Sequence, residues 1–273
     1  WINLLVGGGT RLMGGLPQLR DFYNFNGNPA YTLASVQAFG ASALAGAPNP
    51  GLLQQQQFGE FKPESTTSFE VGYKGLIGKR LLIDIYAYQA RYKDFLSGVT
   101  VIQARAGLPP SPLNVLNANT RIAYSISTNA PGSVDVKGWG ASLEYLMPRN
   151  FSVNANMYSD VIGALPVGFV SYFNTPKYRF NAGFANSGFG KDNKFGFNVT
   201  YKWVDTFEYE GTFAVGQIPS YTTVDAMVSY KLPSIKSLIK VGGTNIFNKY
   251  YANGFGNVQI GGLYYVSFGW NVF

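Results

Sequence analysis

Asp205, Glu208 and Glu210 fall within one short stretch of the chain. Carboxylates at that spacing supply the hard oxygen atoms that a cation or a metal chelate takes as ligands. Tyr209 lies among them, and Tyr251 and Phe255 follow in a later connection. Aromatic rings with a few convergent polar groups are what a small-molecule vestibule uses. Arg105 and Arg121 are suited to an anionic ligand. Each group also has a plainer account, and that account weighs more. A short acidic run is usually a solvated loop, and rings at the ends of strands serve as interfacial packing. Asn245 and Asn248 satisfy turn backbone better than they bind a ligand. No catalytic, cofactor-binding or metal-binding residue is assigned, and the substrate-binding residues are left unknown.

What the chain lacks narrows the chemistry further. It contains no cysteine and no histidine. Disulfides, thiolate nucleophiles, zinc–sulfur sites, Ser-His-Asp catalysis and imidazole pH switches are therefore excluded in these 273 residues. We expect no enzyme and no cofactor. The net charge of +7 is dispersed rather than clustered, so no nucleic-acid partner is expected.

The candidate residues sit between segments of strict alternation. In the last ten residues Tyr264, Val266, Phe268, Trp270 and Val272 share one face, and Tyr265, Ser267, Gly269, Asn271 and Phe273 share the other. A period of two is a strand with one oily face. The same pattern runs through 69–77, 81–88, 138–145, 151–157, 177–184, 195–203, 223–231 and 239–242. That makes nine strands, with a tenth around Leu4–Val6 before Gly7–Gly9. Charged residues are 13%, against about 25% in a typical soluble domain. Aromatics are 16%, mean hydropathy is near zero, and no apolar run reaches the length of a spanning helix.

A soluble sandwich and a membrane barrel share this alternation. Three features favour the barrel: aromatic residues at both ends of the oily faces, long strands, and connections that alternate short and long. Short turns fall near 75–79, 147–150, 187–193 and 232–236. Long connections fall near 24–65, 94–133, 161–175, 205–219 and 247–260. Counted back from Phe273 as a periplasmic end, every short turn lies on the periplasmic side. Asp84 marks its face as lumenal, since a carboxylate in lipid is costly. The expected fold is an all-β, antiparallel transmembrane β-barrel. The stretch 24–65 is expected to be a loop with a short helix over Leu33–Ala45, and 94–133 a loop with a local hairpin around Thr120–Ser127. Phe273 is out of phase with Phe268 and Trp270, which predicts a bulge or late bend.

Several motifs then resemble a known family. Phe61-Lys62-Pro63-Glu64 followed by Phe69-Glu70-Val71-Gly72-Tyr73-Lys74-Gly75 is similar to the mid-barrel signature of TonB-dependent outer-membrane receptors. Ile83-Asp84 through Tyr92-Lys93-Asp94-Phe95 also resembles that family, as does Ile218-Pro219-Ser220-Tyr221-Thr222-Thr223-Val224-Asp225. The most specific stretch is Gly242-Gly243-Thr244-Asn245-Ile246-Phe247-Asn248-Lys249-Tyr250-Tyr251. The resemblance implies a 22-stranded barrel with a plug, importing a scarce nutrient (an iron chelate, cobalamin or a glycan) under the drive of a TonB complex.

Residues 1–273 would then be the C-terminal part of such a barrel, about ten strands, with the plug domain absent from this chain. No signal peptide and no initiator Met precede Trp1, so a processed chain or a segment of a longer one is expected. The expected partners are outer-membrane lipid, the remaining strands and plug (from the same polypeptide or a partner chain), and the TonB complex through the missing N-terminal part. The expected location is the bacterial outer membrane. Two other readings remain: a passive porin or small complete barrel, and a receptor-like barrel serving as scaffold in an outer-membrane assembly.

Overall fold

Four tight turns organise the larger part of the molecule, and each contains backbone in the left-handed region. Gly78 and Lys79 have φ of 56° and 61°, and Arg80 N–H donates to Ile77 C=O at 3.1 Å. Two successive positive φ values match the right-handed twist of the strands they join. Arg149 and Asn150 (φ 60° and 61°), Asp192 and Asn193 (62° and 52°) and Lys236 (48°) mark the other three. In the computed structural model, which describes residues 29–271 apart from 106, 110, 212 and 213, these turns join pairs of long strands. The strand expected around Leu4–Val6 and the terminal Phe273 lie outside the described residues.

The chain divides into two units. The second comprises Ser68–Ala90, Asp135–Ile162 and Phe173–Phe273. Its long strands belong to a nine-stranded antiparallel sheet made of β2 (Ser65–Ile77), β3 (Leu81–Lys93), β6 (Ser133–Leu146), β7 (Phe151–Ile162), β9 (Arg179–Phe189), β10 (Phe195–Val204), β13 (Tyr221–Leu232), β14 (Ser237–Thr244) and β15 (Leu263–Gly269). They are adjacent in chain order, and the sheet is open at β2 and at β15. These are the nine strands that the alternation predicts.

Register carries the alternation across the sheet. Val153 faces Phe184, which faces Val199, then Ala226, Gly243 and Tyr264. One residue along, Asn154 faces Gly183, then Thr200 and Asp225. The oily face is not a core: Val266 is 75% exposed and Phe268 60% exposed, and Phe184, Val199, Val228 and Val241 are exposed too. Side-chain hydrogen bonds between strands, such as Tyr88 to Asp160 and Asn181 to Asn156, lie on the polar face. A soluble sandwich buries its oily face and wets the other. This arrangement is the reverse, as in a barrel wall with lipid outside.

The first unit comprises the described residues of Trp1–Thr67, Arg91–Val134 and Gly163–Tyr172. It corrects one expectation. The stretch 94–133 is not a loop with a local hairpin. It forms β4 (Leu96–Ala104) and β5 (Arg121–Asn129), which pair antiparallel over their full length. β1 (Tyr31–Thr32) and β8 (Phe169–Val170) pair with the other edge of β4. The reason β4 escaped the period-two reading is that it is buried on both sides. Val99 and Val101 pack with Ala30 and Ile126, while Ile102 packs with Val36, Phe39 and Val115. A strand covered on two faces carries no polar alternation.

The helix α1 (Leu33–Leu44) forms where the Ala-rich stretch predicts one. Thr32 caps it, its hydroxyl accepting from Ser35 N–H at 3.2 Å. Gly46, at φ 77°, ends it. Val36 and Phe39 lie on its buried face, and burying a phenyl ring of this kind is worth about 2–3 kcal/mol.

Two further corrections concern the second unit. The connection 205–219 carries a hairpin, β11 (Phe207–Glu210) with β12 (Val215–Ile218). Four-residue strands are too short to show a period. The last strand ends at Gly269, earlier than the alternation suggests, and Asn271 turns into the left-handed region at φ 56°.

Candidate vestibule site

The polar face of the sheet gathers charge near the ends of β7, β9, β10 and β13 that lead into the long connections. Asp160, Arg179, Lys202 and Asp225 come from these four adjacent strands. Arg179 Nη2 donates to Asp160 Oδ2, and Tyr88 hydroxyl donates to Asp160 Oδ1 at 2.6 Å. The Arg179 guanidinium also lies 6.0 Å from the centroid of the Tyr158 ring. Lys202 Nζ is 2.5 Å from Asp225 Oδ2. Asp225 Oδ1 accepts from Asn245 N–H at 2.9 Å, which ties β13 to the turn after β14. Alternation places every one of these side chains on the same face, and antiparallel pairing brings opposite charges side by side. Because both cations keep substantial exposure, each pair is worth only about 1 kcal/mol.

Tyr158, Arg179, Lys202, Asp225 and Asn245 line a cavity of about 300 Å³ with Asn181, Tyr221 and Tyr251. The Tyr221 and Tyr251 rings stack at 4.1 Å with an interplanar angle of 17°. Arg179 Nε is buried without a hydrogen-bond partner. A guanidinium N–H in that position can donate to an oxygen acceptor on a ligand. The cavity combines two apolar ring faces with fixed donors, a composition suited to an oxygen-rich polar ligand.

Of the residues singled out in the sequence, Tyr251 and Asn245 line this cavity. Tyr209 and Phe255 meet each other instead, edge to face at 5.9 Å, and pack the loop after β14 onto the β11–β12 hairpin. Glu208 and Glu210 share one face of β11, and Glu210 backbone exchanges hydrogen bonds with Asn174 at 2.6 and 2.9 Å. Asp205 Oδ1 accepts from Thr206 N–H at 2.8 Å. Among the described residues no group of three or more acidic, His or Cys side chains could hold a metal ion.

Arg105 and Arg121 lie in the first unit, at one end of the β4–β5 pair. Arg105 N–H donates to Thr120 C=O at 2.8 Å, and Arg121 Nη1 to Val115 C=O at 3.4 Å. Asn245 spans its own turn, donating to Lys249 C=O at 2.7 Å and accepting from Lys249 N–H at 3.1 Å. Asn248 Oδ1 accepts from Gly262 N–H at 2.7 Å. Both asparagines serve turn backbone, as the sequence suggests. The residues missed from sequence are Asp160, Arg179 and Lys202. The signal that could have found them is the coincidence of opposite charges on the polar faces of successive strands, at similar distances from the long connections.

The family model for TonB dependent receptor-like β-barrels matches residues 15–248. No curated protein sequence matches the chain. Among solved structures, the copper transporter OprC matches at a TM-score of 0.56 and 15% identity, over 77% of this chain and 31% of that one. The siderophore receptor PirA from Acinetobacter baumannii matches at 0.53 and 17%, over 77% and 32%. The ferripyoverdine receptor of the outer membrane of Pseudomonas aeruginosa, bound to ferripyoverdine, matches at 0.52 and 17%, over 77% and 27%. The chain thus spans about a third or less of these structures' length. The likeness is one of fold, and the matched family is one of receptors and transporters rather than enzymes. Matched over most of its length by that model, with an antiparallel sheet left open as in part of a barrel wall, the chain belongs to the family of TonB-dependent receptor-like β-barrels.

Proposed function

We propose that this chain forms the C-terminal part of an outer-membrane barrel that imports a scarce nutrient by a TonB-dependent cycle. A plug and the remaining strands come from the same polypeptide or from a partner chain. The observation that carries the reading is the polarity of the nine-stranded sheet: an exposed oily face, and an opposite face holding ion pairs, asparagines and a polar cavity. The oily face would meet lipid. The polar face would meet ligand and plug.

Among the nutrient classes considered, a metal chelate suits the cavity better than a bare cation. Arg179 and Lys202 stand beside the tyrosines there, and an oxygen-rich chelate offers them acceptors. The structural neighbours named for siderophore and ferripyoverdine binding support the same class.

The test is uptake of radiolabelled ferric chelates by cells expressing the full-length protein, with and without a working TonB complex. Uptake that disappears with TonB supports the proposal. Uptake that persists, proportional to external concentration, would mean a passive pore.

A further inference from the structure

The oily face carries a second cavity, and its lining does not suit hydrocarbon alone. It measures about 490 Å³ and is lined by Phe69, Ala87, Trp139, Val161, Lys137 and Lys177, among others. Ala87, Trp139 and Val161 share the outward face of β3, β6 and β7, and Lys137 sits directly opposite Val161 on that same face. The groove exists because small Ala87 and Ser159 sit beside the larger Trp139, leaving room along the wall. Its lining contains no Asp or Glu.

Position along the strand matters. A tilted strand crosses the hydrocarbon in about 9–11 residues. Counted back from Leu146, at the tight-turn end of β6, Lys137 is the tenth residue. It therefore stands at the boundary of the oily band, on the side of the long connections. Lys177 precedes β9 at the same end, its ammonium 5.2 Å from the centroid of the Tyr178 ring. Lone lysines at such a boundary need only reach water. Here two of them stand at the polar end of one apolar groove, with aromatic rings beside them.

We propose that this groove holds a phosphorylated lipid of the outer leaflet, one acyl chain lying along Ala87, Trp139 and Val161 and its phosphate held by Lys137 and Lys177. The occupant follows from complementarity: an apolar trough open to lipid, capped by two positive charges, fits a molecule with an acyl chain and an adjoining anion. This rests on the outer-membrane reading given above.

The experiment uses the full-length protein in nanodiscs of neutral phosphatidylcholine doped with lipid A, the bis-phosphorylated glycolipid. Lipid retained after detergent extraction is read by native mass spectrometry. The wild type should retain lipid A, and the double variant Lys137→Gln/Lys177→Gln should retain at least about tenfold less, since two charge-assisted hydrogen bonds are lost. Ala87→Leu, which fills the trough and keeps both charges, should lose lipid as well. Lipid A stripped of phosphate should be retained no better by the wild type than by the double variant. Excess inorganic phosphate should not displace the lipid, and displacement would mean that a free anion site, not a lipid groove, is present. Equal retention by wild type and both variants would overturn the proposal. Insertion is scored separately, by heat-modifiable migration of the folded protein. A protein that inserts yet retains no lipid sinks the groove and leaves the barrel standing. One that does not insert sinks both.

Discussion

Tyr88 reaches from β3 across Gly138 of β6 and donates its hydroxyl to Asp160 of β7 at 2.6 Å. Its ring occupies the space a Cβ at position 138 would need, with Cε1 2.6 Å from that point. One tyrosine thus fastens three adjacent strands on the polar face, and the glycine is what lets it cross. Gly138→Ala should displace the ring and weaken the hydroxyl bond, at a cost of about 1–3 kcal/mol. Thermal unfolding in detergent checks this. Tyr88→Phe should cost about 1 kcal/mol in the wild type, but little more when added to Gly138→Ala, because the bond is already weakened there.

Asp225 serves two partners, and two substitutions separate them. Asp225→Asn keeps an oxygen for Asn245 N–H and removes the charge facing Lys202, so its effect on stability should stay near 1 kcal/mol. Asp225→Ala removes both and leaves a buried N–H unpaired, at about 2–3 kcal/mol. Denaturant titration distinguishes the two. If Asn and Ala variants lose the same stability, the bond to the turn contributes nothing.

The stacked pair Tyr221–Tyr251 forms one wall of the vestibule cavity. On the proposed function, Tyr251→Ala should weaken ligand capture while sparing maximal transport, because the ring forms part of the cavity wall. A stacking contribution of about 0.5–1.5 kcal/mol corresponds to a roughly two- to tenfold rise in half-saturation. Uptake measured against chelate concentration resolves the two parameters, and a fall in maximal rate alone would contradict this role.

Asn245 holds its turn by bonds to both backbone groups of Lys249, at a φ of 49°. Asn245→Ala loses both bonds and keeps the unfavourable φ. The turn should loosen, at about 2–3 kcal/mol, and expose the following loop to protease. Limited proteolysis followed by mass mapping should show new cuts between 246 and 262, with none in β13 or β10.

Alternation of side chains was legible in the sequence because a sheet with unlike faces writes its register into residue order. Nine strands and four tight turns followed from that rule and from the short–long alternation of connections. The legibility failed where its physical condition failed. β4 is packed on both sides by Ile126 and Phe39, so it shows no alternation. β11 and β12 are too short to show one, and the left-handed Asn271 ends the last strand before its pattern ends. The acidic run at 205–210 stood out because neighbours in sequence are easy to see.

By itself, then, the order of residues determined which faces are oily, which turns are tight and which family the motifs resemble. Those are local properties, set by side-chain polarity and backbone conformation within a few residues. Tertiary structure alone decided that the oily face stays uncovered, and that Arg179, Lys202 and Asp225 converge from three strands on one cavity, with Asp160 of a fourth strand paired to Arg179. Such convergence depends on pairing register between strands far apart in sequence, and the stretches that separate them carry no mark of it.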